Sequence, residues 1–288
     1  MSPANAVRVV LWMSGTLMSF SILAISIRGL TGRLNVFEIL AIRTGSGLII
    51  LLALAALRPS LRRHLVFRRM PLQLARNTVH FAATAAWAAS LTALPLATAF
   101  ALEFTTPAWV ALFAVLLLGE RLSASRIGAL VLGFLGILVI LHPGVGTFRP
   151  VALLMLAAAV GFALALICTK KLISTESTFT ILLWMSAIQL PLNLLGSDPL
   201  FLARLDGSTA LPAIAVALAG LASHFCLTNA FRYGDATIVV PLDFLRIPLI
   251  AVVGSLVYGE DLDPPVFLGA AFIIVGVLWN LRAETARA

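Results

Sequence analysis

Charge is what this chain has least of. Of its 288 residues only 11% are Asp, Glu, Lys or Arg, whereas a soluble domain carries about a quarter. With 61% apolar residues and a mean hydropathy of +1.06, no water-facing surface can be assembled, which excludes the soluble classes before any motif is read. Cysteine is almost as scarce. Cys168 and Cys226 both lie in apolar stretches, so a disulfide scaffold is excluded and buried packing is the expected role. Also missing are HExxH, a phosphate-cradling glycine loop, a Cys/His cluster and a serine nucleophile elbow. No metal site and no cofactor are therefore expected.

What is present is a series of long apolar runs. A helix needs roughly 20 such residues to cross a hydrocarbon core of about 30 Å. Nothing ionises between Arg8 and Arg28, between Arg149 and Lys170, between Glu176 and Asp198, or between Asp263 and Arg282, and His142 alone interrupts Arg126 to Arg149. Five further segments, 35–57, 73–93, 96–118, 209–231 and 236–258, contain charges and are the more informative. Pro95 and the Arg232-Tyr233-Gly234-Asp235 turn separate neighbours among them. The expected class is an all-α polytopic membrane protein with ten transmembrane helices. The first apolar run is too long for a cleavable signal and lacks a small-residue cleavage site.

The excess of 20 basic over 12 acidic residues is spread unevenly. Ten spans with a cytoplasmic N-terminus put Arg8, the Arg58–Arg69 cluster, Arg121, Arg126, Lys170, Lys171, Arg232, Arg282 and Arg287 inside, and leave Arg28, Arg33, Arg149 and Arg204 outside. That bias selects the bacterial inner membrane with both termini cytoplasmic. The basic loop from Arg58 to Pro71 is read as an orientation signal attracted to anionic lipid, and no nucleic-acid partner is expected.

A shift of 140 residues lays Glu103-Phe104 on Asp243-Phe244, Gly119-Glu120 on Gly259-Glu260, Leu122 on Leu262 and Gly136 on Gly276. Small gaps add Ala97-Thr98 on Ala236-Thr237 and Pro107 on Pro248. Span four thus repeats as span nine. An odd number of spans separates the copies, so they cross in opposite directions, giving two inverted five-helix halves, 1–143 and 144–288. Such halves form many secondary transporters, with substrate held between them near the midplane. Gly128, Gly133 and Gly136 permit close helix packing.

The order of Glu38-x4-Arg43, the Thr98 to Pro107 stretch ending in Gly119-Glu120-Arg121-Leu122, Gly133-Phe134-Leu135-Gly136, and Tyr233-Gly234-Asp235-Ala236 to Pro241 resembles the EamA family of the drug/metabolite transporter superfamily, over essentially the whole chain. The resemblance implies a central cavity lined by spans one to four and six to nine, with spans five and ten peripheral. Phe37-Glu38, Lys170-Lys171 and the Asp243 to Arg246 stretch look most like the branch of S-adenosylmethionine uptake carriers. Family cargoes range over amino acids, nucleotide-like compounds and vitamins.

Ionisable groups cost about 2.5–3.5 kcal/mol each inside hydrocarbon, so those within the spans are the candidate substrate-binding residues: Arg43, Arg76, His80, Glu103, His224, Asp243 and Arg246, with Trp87 beside them. Three arginines against two carboxylates favour a cargo with a carboxylate or a zwitterion, gripped by arginine. Each has a plainer reading. Asp243 and Arg246, three apart, can neutralise each other. Arg43 can pair with Glu103 as a strut, and Arg76 can snorkel to the headgroups. His80 and His224 are proton relays or satisfied hydrogen-bonding groups. Trp87 and Trp109 stack on cargo or simply pack. Arg76, His80, Thr84 and Trp87 form one polar stripe at helical spacing.

Pro107 cannot donate to the carbonyl of Glu103, so span four is expected to kink at its own carboxylate. Pro241 and Pro248 bracket Asp243 and Arg246 in the same way, and these three prolines are the expected gating positions. Glu120 and Glu260 are assigned a role in the fold, capping the next helix or pairing with Arg121 or Arg126. The expected function is a secondary active transporter working by alternating access on a small polar metabolite. Amino acids or their derivatives come first; nucleotide-like or vitamin cargo, such as S-adenosylmethionine or riboflavin, is the alternative. Lacking an ATP motif, it needs a coupling ion or an exchange substrate, as monomer or homodimer. A membrane-embedded enzyme or a non-transporting scaffold is the reading of another class.

Overall fold

The computed structural model describes residues 2–30, 32–91, 94, 102–141, 150–258 and 264–286. The regular structure among them is helical: α1 (Pro3–Leu30), α2 (Val36–Leu57), the short α3 (Pro59–Arg62), α4 (Met70–Leu91), α5 (Thr106–Phe113) with a π-helical extension over Ala114–Leu118, α6 (Ala124–Leu141), α7 (Pro150–Leu172), α8 (Thr178–Leu194), α9 (Gly207–Tyr233), α10 (Ala236–Val239), a 3₁₀ turn over Val240–Leu245, α11 (Arg246–Tyr258) and α12 (Pro264–Ala286). Among the described residues, six helical stretches are long and apolar enough to cross a membrane, and Thr106–Leu118, Ala124–Ile140 and Thr178–Leu194 are shorter apolar helices. α4 has a comparable length but carries the polar stripe that begins at Gln73 and Arg76. Helices occupy the segments expected from the sequence. The expected start of the fourth, 96–101 with its Thr98, and the turn at Pro95 lie outside the described residues, as do Gly259, Glu260, Leu262, His142, Arg149 and Arg287.

Beside an apolar core, large apolar side chains also cover the outside, and polar ones lie within. Leu11, Leu57, Leu211 and Leu256 are exposed, while Thr16, Gln73, Arg76, Asn77, Gln189, Asn193, Ser223 and His224 are buried. Leucine outside and amides inside is the arrangement that lipid as solvent imposes. Together with the apolar helices it makes this a multi-pass membrane protein.

Helix ends are set by local chemistry. Asn35 and Glu38 form a reciprocal capping box at the start of α2. Asp206 does the same at α9, where hydrogen bonds from the Ser208 hydroxyl and from the Ser208 and Thr209 amides hold its carboxyl well below the usual carboxylate range. Cations close two C-termini reciprocally, where the helix dipole favours them. From α7, Lys170 Nζ donates to the α9 carbonyls of Phe231, at 2.7 Å, and Gly234. From α9, Arg232 donates to the carbonyls of Ile173 and Glu176 beyond α7.

The Gly-Glu pair after span four now has a physical account. Gly119 sits at φ +69°, a left-handed conformation that glycine adopts without strain, and it turns the chain so that Glu120 reaches α10. There Glu120 accepts from the amides of Ala236 (2.9 Å) and Thr237 (3.1 Å) and from the Thr237 hydroxyl (2.7 Å). This corrects the expectation that Glu120 caps the next helix or pairs with Arg121 or Arg126: the capped helix lies in the other half of the chain. Arg126 is engaged by Glu284 and Asp235, each at 2.9 Å.

α1 lies along α9, α4 along α7, α2 along α8 and α6 along α12. Exchanging the two halves of the chain converts the α1–α9 pair into the α7–α4 pair and returns the other two pairs to themselves. α6 and α12 meet at glycines: a side chain on Gly136 would run into the carbonyl oxygen of Gly269, and the reverse holds as well. Gly128 and Gly133 likewise make room, for the rings of Trp279 and Phe244.

Candidate functional site

Polar side chains buried among lipid-facing helices require partners or a cavity, and α4 supplies the largest set. Its stripe faces α7 and α8. Arg76 is 3% exposed and donates to Thr169 Oγ1 and Asn77 Oδ1, each at 2.8 Å, with the Met185 sulfur at 3.7 Å. The snorkelling expectation is corrected: neighbours in the protein interior satisfy Arg76. One turn on, His80 Nδ1 lies 3.4 Å from the Gln189 amide nitrogen, which also donates to Asn77 at 3.0 Å. The His80 ring meets Phe162 from α7 and His224 from α9, both edge-on at 5.7 Å. Thr84 turns back on its own helix, donating to the His80 carbonyl.

The top of the stripe reaches a second cluster. Trp87 Nε1 donates to Glu103 Oε2 at 2.7 Å, so this indole holds a carboxylate. Arg246 stands between Glu103 (3.5 Å) and Asp243 (3.0 Å). The Asp243–Arg246 pair at i,i+3 is therefore formed, and the Arg43–Glu103 strut is not: Glu103 is held by Arg246 and Trp87 instead. The Arg246 guanidinium also lies over the rings of Phe104 (4.8 Å) and Phe20 (5.4 Å), favourable contacts for a cation away from water. Phe20, on α1, is 6.2 Å from the His224 ring as well. It links the two clusters.

Prolines set the backbone under these charges. The helical turn at Leu102 and Glu103 gives way to a turn at Phe104 and Thr105, and α5 restarts at Thr106 with Pro107 in its first turn. The carbonyl that Pro107 leaves without a donor is recovered by the Thr106 hydroxyl, 2.6 Å from Glu103 O. In the second half the chain runs from α10 into the 3₁₀ turn at Val240–Leu245, with Pro241 in its first turn and Asp243 inside it, and resumes as α11 at Arg246 with Pro248 close behind. Both carboxylates thus sit where a helix is interrupted, as the sequence led one to expect.

The charges separate by sign. Glu103 and Asp243 share Arg246, for a formal excess of one negative charge. Arg43 and Arg76 occupy the other side with His80 and His224, and among the described residues no carboxylate bonds to either arginine. Trp109 packs in the main hydrophobic cluster with its ring 6.4 Å from Phe113. Sequence reasoning missed Gln189, Asn77, Phe20 and Phe162. The two amides were detectable, since an amide inside an apolar segment needs a partner, but nothing distinguishes Phe20 from the other phenylalanines along the chain.

Comparison with known proteins matches the model of the EamA-like transporter family twice, over residues 7–142 and 149–282. The chain is 32% identical to a riboflavin transporter of Rhizobium johnstonii, over 99% of this chain and 94% of that one. It is 26% identical to an S-adenosylmethionine uptake transporter of Rickettsia prowazekii, over 95% and 92%. A pseudopaline exporter of Pseudomonas aeruginosa is 27% identical over 92% and 93%. One solved crystal structure, 16% identical, superposes with a TM-score of 0.80 over 100% of both chains and shares the fold. The chain belongs to the EamA-like transporter family.

Proposed function

We propose that this protein is a secondary active transporter of the bacterial inner membrane that moves a polar heterocyclic metabolite, of the vitamin or nucleoside-like kind, by alternating access. Ten spans are assigned, in two inverted halves, 1–143 and 144–288, with both termini cytoplasmic. The observation that carries the reading is the meeting of two interrupted helices, one from each half, through Arg246, Glu103 and Asp243. Charges on broken helices at equivalent points of two halves can be made and released as one half rocks on the other. Relatives named for riboflavin and for S-adenosylmethionine both handle a ring system bearing polar groups. That favours heterocyclic cargo over the amino acids expected first, and the half-buried aromatic rings of Phe20 and Phe162 beside the two polar clusters suit a ring.

Counterflow in proteoliposomes is the test. Vesicles preloaded with unlabelled riboflavin or S-adenosylmethionine should accumulate the labelled compound transiently, because a carrier exchanges and a scaffold or enzyme does not. Absence of exchange with both compounds rejects the reading.

Pro107→Ala restores a donor to the Glu103 carbonyl and favours the unbroken helix by about 1 kcal/mol, the net worth of one hydrogen bond. Turnover should fall about fivefold with the dissociation constant nearly unchanged. Equal rates for mutant and wild type would remove Pro107 from the gating set.

A further inference from the structure

Arg43 is set apart from every other charge in the interior. It lies in α2, well inside the helix ends at Val36 and Leu57. Its Nε is buried and, among the described residues, has no hydrogen-bond partner, as is also true of Arg246 Nε, but Arg246 has two carboxylates beside it and Arg43 has none. Arg76, beside it, is bonded to Thr169 and Asn77, and the carboxylates nearest the centre are committed to Arg246 and Trp87. The fold nevertheless makes room for this side chain. Its aliphatic stem rests on Gly220 of α9, where a Cβ would overlap Cγ and Cδ of Arg43. An arginine kept in the interior, seated on a glycine and with no anion bonded to it among the described residues, is costly unless something arrives to pair with it.

The cluster around Arg246 has the complementary deficiency. Two carboxylates share one guanidinium, and Asp243 Oδ1 is buried with no donor. Phe20, within ring-contact distance of both His224 and Arg246, lies between the two sides.

We propose that Arg43 anchors an acceptor group of the cargo, a carboxylate or the paired carbonyls of a pyrimidinedione ring, while Asp243 and Glu103 receive a donor or cationic group at its other end, with the ring between them near Phe20. The transported compound is therefore dipolar, and Arg43 determines its orientation. This rests on the carrier reading above and deepens it. Guanidinium suits both acceptors because its paired N–H groups match two oxygens in one plane.

The test measures binding of riboflavin, S-adenosylmethionine and decarboxylated S-adenosylmethionine to purified wild type, Arg43→Gln and Arg43→Lys, together with the melting temperature of each protein without ligand. Arg43→Gln should weaken binding by about tenfold or more, equivalent to about 1.4 kcal/mol, and Arg43→Lys by less. Ligand-free Arg43→Gln should melt at or above the wild-type temperature, because the substitution removes a half-buried cation that no anion among the described residues pairs with; a structural strut would melt lower. If the acceptor is a carboxylate, decarboxylation weakens wild-type binding as much as Arg43→Gln weakens binding of the intact compound, and the two losses do not add. If it is a pair of ring carbonyls, the effect is found with riboflavin. Wild type that binds a probe, with Arg43→Gln binding it equally, overturns this proposal and leaves the carrier reading standing. So does a ligand-free Arg43→Gln that melts well below wild type. Wild type that binds none of the three overturns both.

Discussion

Arg246→Gln is expected to be the most damaging single change among the interior charges. Its guanidinium faces both Asp243 and Glu103, and removing it leaves two carboxylates close together with, among the described residues, only the Trp87 indole donating to either. Breaking a buried pair from one side costs about 3–5 kcal/mol. The lower end applies here, because Arg246, Glu103 and Asp243 retain 21%, 13% and 27% of their side-chain exposure. Asp243→Asn in the same chain returns the cluster to its original formal charge of one negative and should restore most of the lost stability. Asp243→Asn alone should be tolerated. Thermal unfolding of the four proteins, read by fluorescence-detected size exclusion, measures the coupling, expected at 1 kcal/mol or more by the usual range for residues in one network. A double mutant no more stable than Arg246→Gln would show that the three groups do not act as a charge cluster.

Gly136→Leu should be equally severe for a different reason. At the α6–α12 crossing the atom facing Gly136 is the backbone carbonyl of Gly269, with Ile273 beside it. A backbone atom cannot rotate away, so the helices must separate along the contact. Overpacking costs about 1–3 kcal/mol where side chains can adjust, and about 3 kcal/mol or more is expected where they cannot. In lipid the loss is not compensated by a hydrophobic drive, since helix association depends on close contact between small residues. Gly45→Ala is the control: a Cβ there meets only Leu190 Cδ1, at an ordinary 3.5 Å. It should be neutral or slightly stabilising through helix propensity. Comparable melting temperatures for Gly136→Leu and wild type would contradict the crossing.

These expectations rest on features of unequal visibility. The stripe Arg76, His80, Thr84 and Trp87 was legible because an α-helix repeats at a fixed angle, and the stripe faces α7 and α8 in the fold. The interruption at Glu103 was legible because a proline removes a known donor from a known carbonyl. Glu120 was seen to belong to the fold, but its partner was not: it caps a helix 116 residues away. Arg76 was misjudged because nearness to a predicted span end says nothing about which neighbours approach, and Thr169 and Asn77 approach it.

By itself the amino-acid order determined the solvent, the helical class, the twofold repeat, and the identity of the interior charges, since each depends on composition or on spacing along the chain. Only the tertiary structure decided which charge meets which. Three arginines and two carboxylates allow several pairings of similar electrostatic merit, and helices distant in the chain select among them through steric fit at residues such as Gly220 and Gly133. The pairing of Glu103 with Arg246, and the separation of Arg43 from both carboxylates, follow from that fit.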